Sequence, residues 1–177
     1  MTYGKAFEEL TKRFEGLSPT DRINEILAIG EPGDKRITSR FIEGPVGKVK
    51  LKVITVTSPT TVKATYTFTV EQFYCNGSGN LHGGAQSTFY DLCTSLTLMG
   101  IGKRGFWING GVSRVLTVTY LRPAPEGTEL EMETEVLAAG KTLAMLRGVI
   151  KRASDGAPIS TCEHNKAAVA SKPNWKL

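Results

Sequence analysis

No stretch of this 177-residue chain approaches the roughly 18 consecutive apolar residues that a membrane-crossing helix needs. The start does not read as a secretory signal either, because Glu8, Glu9 and Glu15 interrupt any apolar run behind a basic end. Cysteine is scarce and unpatterned. Cys75, Cys93 and Cys162 are odd in number, far apart and never arranged as CxxC, which points to a reducing compartment and to packing rather than disulfide or redox roles. With only His82 and His164 as histidines, and no HExxH or EF-hand pattern, a protein-held metal is not expected. Lys and Arg exceed Asp and Glu by 22 − 17 = 5. These bases are scattered, however, as at Lys48, Lys50, Lys52, Lys103, Arg104, Lys151 and Arg152, and no aromatic-interleaved basic patch supports nucleic-acid binding.

What is present is an ordinary globular composition, 40% hydrophobic and 22% charged. Residues 1 to about 30 read as two helices, with Phe7, Leu10, Phe14 and Leu17 on the face of the first and Ile23, Ile26 and Leu27 on that of the second, restarted at Ser18-Pro19-Thr20-Asp21. The stretch from Glu31 to Gly47, with Pro32, Gly33, Gly44 and Pro45, reads as linker. The chain therefore divides into a helical extension with its linker, 1–40, attached to a domain of residues 41–177. In that domain the hydrophobic period becomes 2. Strands are expected from Lys48 to Thr55 and Thr61 to Phe73 as a hairpin, then at Gly111 to Leu121, Thr128 to Ala138, Thr142 to Arg152 and Ile159 to Val169. Glu129, Glu131, Glu133 and Glu135 alternate with Leu130, Met132, Thr134 and Val136, so one sheet face is wet.

One long helix interrupts the strands. From His82-Gly83-Gly84 to Met99 it carries Ala85, Phe89, Leu92, Leu96 and Met99 on one face, and Ser87, Asp91 and Ser95 at i, i+4 and i+8 on another. A single helix cradled by an antiparallel sheet is an α+β, two-layer architecture.

Three familiar motifs fail. Gly100-Ile101-Gly102-Lys103-Arg104-Gly105 spells GxGxxG but follows a helix and precedes a strand, the reverse of a dinucleotide fingerprint. Gly140-Lys141-Thr142 has Glu135 where a phosphate loop needs glycine, and Gly111-Val112-Ser113 has Val115 where a nucleophile elbow does. What survives is the loop from Asn76 to Gly84 and the carboxylate of Asp91. Glycines at a helix start leave amide N–H groups unobstructed where the peptide dipoles favour negative charge, a place for a carbonyl oxygen becoming an oxyanion. A lone carboxylate on a greasy helix is costly unless partnered or used. Gly83 and Asp91 are eight residues apart, about 12 Å along one helix. Joint action on one substrate would therefore require the Asp from an antiparallel second copy, with the site at a two-fold interface.

Here a resemblance becomes specific. Asn76 stands six residues before His82, within the block Leu81-His82-Gly83-Gly84; Asp91 follows nine after His82, and Gly111-Val112-Ser113, Val118 to Ala124 and Gly140 to Ala144 complete the pattern. Over about residues 47 to 170 the sequence resembles the hot-dog-fold acyl-CoA thioesterases, in the branch of the phenylacetate-pathway thioesterases and thioesterase superfamily member 2. That implies a hot-dog fold assembled as a homodimer or a dimer of dimers, a homotetramer, with active sites at the interface. It implies hydrolysis of a fatty or aromatic acyl-CoA in lipid metabolism, with coenzyme A as part of the substrate and no separate cofactor. Carried onto this chain, Asp91 is general base or nucleophile, the Gly83 N–H is the oxyanion donor, and Asn76 polarises the thioester carbonyl. Ser113 orients the water with Asp91, and His82 positions the thioester. Val115 departs from the pattern, where an acidic residue is common, and the N-terminal extension has no counterpart in the shortest members. His164 reads as a strand histidine. The compartment expected is cytoplasmic or mitochondrial. The alternative is a non-catalytic acyl-CoA-binding or scaffold protein of the same fold; a nucleic-acid-binding domain is the third reading and predicts steeply salt-dependent binding.

Overall fold

The computed structural model describes residues 11–28, 41 and 43–169. Six strands, β1 (Lys50–Ser58), β2 (Thr61–Thr69), β3 (Val112–Tyr120), β4 (Glu129–Ala139), β5 (Leu143–Arg152) and β6 (Pro158–Ala167), form one sheet in the order β1-β2-β4-β5-β6-β3. All neighbours are antiparallel. The helices are α1 (Pro19–Leu27), the single turn α2 (Glu43–Val46) and the long α3 (Gly83–Gly100). This is the expected α+β arrangement of one long helix against an antiparallel sheet.

The alternation read from β4 sets the sheet's two faces. Leu130, Met132, Thr134 and Val136 are buried, while the intervening glutamates face outward. There they meet bases from both neighbouring strands and from β1 beyond them: Lys52 of β1 pairs with Glu131, Lys63 and Arg147 with Glu135 at 3.2 and 2.6 Å, and Lys151 with Glu133 at 2.7 Å. Each such exposed pair is worth little, but together they absorb much of the scattered positive charge into a solvated face.

Against the inner face, α3 buries Phe89, Leu92, Leu96 and Met99, as its periodicity requires. Its C-terminal end is tied down by Arg22 of α1, whose buried guanidinium donates to the carbonyls of Met99 and Gly102, both at 2.6 Å. A cation on orphan C-terminal carbonyls satisfies them and complements the helix dipole. Around this anchor Phe14, Ile23 and Leu27 join the main core, and the Ser18 hydroxyl caps α1 by accepting from Asp21 N–H at 3.1 Å.

β1 runs from Lys50 to Ser58 rather than from Lys48 to Thr55, and three further differences have a visible cause. β2 stops at Thr69 rather than Phe73, because the chain turns through a 3-10 segment at Gln72–Tyr74 to reach α3. β6 ends at Ala167 rather than Val169; beyond it Ala168 N–H bonds Thr142 O instead of continuing the ladder. The Gly44-Pro45 pair lies in the helical turn α2, not in a loop, and Val46 and Val49 pack into the core. Phe7, Leu10 and residues 31–40 and 42 of the proposed linker lie outside the described residues.

Candidate active site

The polar stripe of α3 runs along the sheet edge made by β3 and β6. Ser87, Asp91 and Ser95 each find a partner there, in order along the helix. The Ser87 hydroxyl lies 3.1 Å from the Tyr120 hydroxyl, Asp91 Oδ1 accepts from Ser113 Oγ at 2.5 Å, and Ser95 Oγ accepts from Lys166 Nζ at 2.8 Å. β3 and β6 pair with Ser113 opposite Lys166, which brings both toward the helix beside Asp91. The register shift between Ser113 and Val115 occurs at this point.

Asp91 is the centre of the cluster. Its side chain is 46% exposed in the single chain, open enough for substrate and water but held on one oxygen. Oδ2 makes no hydrogen bond among the described residues. His164, on β6 and fully buried, places Nε2 at 3.5 Å from Asp91 Oδ1. Its tautomer follows from its other neighbour. Thr94 Oγ1 donates its one proton to Tyr90 O at 2.6 Å, so at 2.7 Å from His164 Nδ1 it can only accept; Nδ1 carries the hydrogen and Nε2 presents a lone pair. Nε2 has no hydrogen-bond partner among the described residues despite its burial. Burial first, and then the positive charge of Lys166, push His164 down to about 4, against the opposing pull of Asp91. His164 is therefore neutral near pH 7. Burial likewise lowers the Lys166 ammonium below its usual range, opposed by Asp91.

The second group of expected residues gathers at the start of α3. His82 is its N-cap: the ring Nδ1 accepts from Gly84 N–H at 2.9 Å, which leaves Nε2 turned outward. Gly83 N–H makes no hydrogen bond among the described residues and is free to donate. Space is tight here as well, since a Cβ at residue 83 would sit 3.1 Å from the Tyr120 ring, whose hydroxyl donates to Gly83 O at 3.0 Å. Asn76 closes the preceding loop, its Oδ1 accepting from the N–H groups of Ser78 and Asn80 at 3.0 and 3.2 Å. With Oδ1 so committed, the carboxamide offers its Nδ2 protons, the end that can polarise a carbonyl.

One chain thus brings together Asp91 and Ser113, and separately Asn76, His82 and Gly83. The two groups sit two helical turns apart, about 12 Å. Sequence reading missed His164 as a neighbour of Asp91 and did not single out Lys166. The signal was their i, i+2 spacing with Cys162 on an alternating strand, which becomes visible once that face of β6 is known to be the buried one. Cys93 and Cys162 are buried packing residues; burial pushes the Cys162 thiol up to about 12. Among the described residues no three His, Cys, Asp or Glu side chains lie close enough to hold a metal ion, and no helix is long and apolar enough to cross a membrane.

This geometry has relatives. Residues 78–159 match the family model of the Thioesterase superfamily. Human acyl-coenzyme A thioesterase 13 is 32% identical over 128 residues, 72% of this chain and 85% of the relative. Among solved structures, thioesterase superfamily member 2 from Mus musculus superimposes with a TM-score of 0.66 at 26% identity, over 86% of this chain and 99% of that one. The zebrafish protein of the same name gives 0.70 at 24%, over 87% and 100%. These neighbours carry the hot-dog fold that the α3-in-sheet architecture displays. Because the identity extends over most of the human relative's length and spans both groups of site residues, the kinship is one of sequence as well as architecture: the chain belongs to the thioesterase superfamily and is a thioester hydrolase.

Proposed function

We propose that the protein hydrolyses acyl-CoA thioesters, releasing a free acid and coenzyme A, with Asp91 as the general base. The observation that carries this reading is the state of the Asp91 carboxylate. Ser113 holds Oδ1 at 2.5 Å, and Oδ2 is left to take a proton from water. A thioester carbonyl has little resonance stabilisation and a good thiolate leaving group, so a positioned carboxylate and a fixed oxyanion donor suffice. Water adds to the carbonyl carbon as its proton passes to Asp91. The oxyanion is held by Gly83 N–H and Asn76 Nδ2, and its collapse expels the coenzyme A thiolate, which regains the proton. The substrate class follows the relatives named acyl-coenzyme A thioesterase 13; fatty and aromatic acyl groups both fit the chemistry.

The separation of Gly83 from Asp91 requires two chains per site. In this reading β3 pairs with the β3 of a second copy, which sets the two α3 helices antiparallel and brings Gly83 of one toward Asp91 of the other. Support comes from β3 itself. It is an edge strand of nine residues with Val112 and Val115 about half exposed, the kind of edge that proteins cover or pair.

Free-thiol release across a panel of acyl-CoAs, with Asp91→Asn alongside the wild type, tests the activity. A fall in kcat/KM of about 10²–10⁴ is expected from loss of a general base, and near-complete retention would overturn the assignment. Single-turnover hydrolysis in ¹⁸O-labelled water then separates base from nucleophile. A base delivers labelled oxygen to the product acid in the first turnover, whereas a nucleophilic Asp91 whose anhydride water opens at the aspartyl carbon delivers its own unlabelled oxygen and takes up the label itself.

A further inference from the structure

Lys166 is 3% exposed, and no carboxylate lies within 4.0 Å of its ammonium among the described residues. A buried cation without a direct counter-ion destabilises a fold, and the buried face of a strand is filled more favourably by an apolar side chain. What the ammonium does contact is specific: Ser95 Oγ at 2.8 Å and Ser113 Oγ at 3.1 Å. Both serines have their single protons committed to Asp91, Ser95 to the backbone carbonyl at 2.6 Å and Ser113 to carboxylate Oδ1 at 2.5 Å. An ammonium can only donate. With Lys166 occupying a lone pair on each hydroxyl, neither serine can turn its proton elsewhere, and the chain Lys166 to Ser113 to Asp91 has one direction.

We propose that Lys166 is a positioning residue for thioester hydrolysis, its buried ammonium locking the Ser113 proton onto Asp91 Oδ1 and setting a positive charge behind the carboxylate that activates water. The titratable groups facing Asp91 are His164 and Lys166, both from β6; β3 contributes the Ser113 hydroxyl, and α3 the Ser95 hydroxyl one turn on. His164 is neutral near pH 7, so the charge near Asp91 is supplied by Lys166. The lysine touches no substrate in this scheme and acts through Ser113. The inference rests on the proposed role of Asp91 as base.

The test compares Lys166→Met, which keeps the length of the stem and removes charge and donors, with the wild type under steady-state acyl-CoA hydrolysis. The expected result is a kcat lower by about ten- to a hundredfold with KM within about threefold. Thermal stability should be equal or higher, because the variant no longer buries a charge. In an Asp91→Asn background the same substitution should add no further loss. A kcat within twofold of wild type overturns the inference, as does an equal additional loss on top of Asp91→Asn. Should Lys166→Met not fold, Lys166→Gln, neutral but able to donate, is read by the split between kcat and KM: a lower kcat at unchanged KM supports the role and wild-type values of both refute it. If Asp91→Asn itself keeps full activity, the underlying assignment fails; if Asp91→Asn is inactive and the lysine variants behave as wild type, only the lysine inference does.

Discussion

Replacing His164 by Gln removes a base that the folded chain holds neutral, and the consequence for stability can be worked out from its surroundings. The ring is fully buried, and its pKa is pushed from the ordinary 6.5 down to about 4 by desolvation and by Lys166. In the unfolded chain the imidazole protonates near 6.5, while in the folded protein it does so only near 4. As pH falls through this interval the unfolded state binds a proton that the native state does not, so stability drops with decreasing pH and levels off outside the window. At about 1.4 kcal/mol per pH unit, roughly 1 kcal/mol has gone by pH 5.5 and about 3 kcal/mol by pH 4. For a domain of this size each kcal/mol lowers Tm by about 2–4 °C. The assay is equilibrium urea unfolding of both proteins at fixed protomer concentration, at pH 7.5, 5.5 and 4. Gln can donate to Thr94 Oγ1 but does not titrate. The variant is expected to be less stable at pH 7.5 by the cost of an altered buried contact. The gap should then close by about 3 kcal/mol on acidification and reverse if the initial deficit is smaller than that. A stability difference equal at pH 7.5 and pH 4 would refute the reasoning, because it would mean that His164 titrates alike in the folded and unfolded chains.

Four further outcomes are expected. Ser113→Ala frees Asp91 Oδ1 of its charge-assisted hydrogen bond and should lower kcat by about ten- to a hundredfold with KM little changed, measured by thiol release. Arg22→Met strands the carbonyls of Met99 and Gly102 at the end of α3; urea unfolding should show a loss of about 2–4 kcal/mol, while specific activity of the folded fraction is retained. Gly83→Ala sets a methyl group 3.1 Å from the Tyr120 ring at the oxyanion end of the helix, and kcat should fall more than stability does. Val115→Lys places a charge on the exposed edge of β3; analytical ultracentrifugation and thiol release should show dissociation and loss of turnover together, and a fully active monomer would disprove the split site.

Much of the fold was legible because its signals are local. The change of period from 3.6 to 2 near residue 48 and the glutamate alternation of β4 come from residues adjacent in the chain, and every strand appears where they place it, within a few residues. The errors fall where tertiary packing decides. β2 ends early because the chain must turn onto α3, and Gly44-Pro45 takes a helical turn because Val46 and Val49 have a core to join. The anchoring of the N-terminal segment was not legible at all. An arginine on an amphipathic helix usually reads as solvated, and the carbonyls that bind Arg22 are 77 and 80 residues away.

The site divides along the same line. The stripe Ser87, Asp91, Ser95 was readable because one helix carries it, and the open amides at His82-Gly83-Gly84 were readable because a helix start announces itself. The partners of that stripe come from β3 and β6, which are adjacent in the sheet although β4 and β5 lie between them in the chain. On β6, Cys162, His164 and Lys166 alternate with Thr161, Glu163 and Asn165, so neither face is apolar and the alternation does not say which one is inside. Only the pairing of Ser113 with Lys166 turns that face toward Asp91. The ambiguity has a physical source. A strand that lines a reaction centre must bury polar groups, and in doing so it erases the hydrophobic contrast by which its inner face would otherwise be recognised. A strand flanked by confident neighbours yet showing no apolar face therefore marks where polar side chains have been drawn inward, and in this chain that strand is β6.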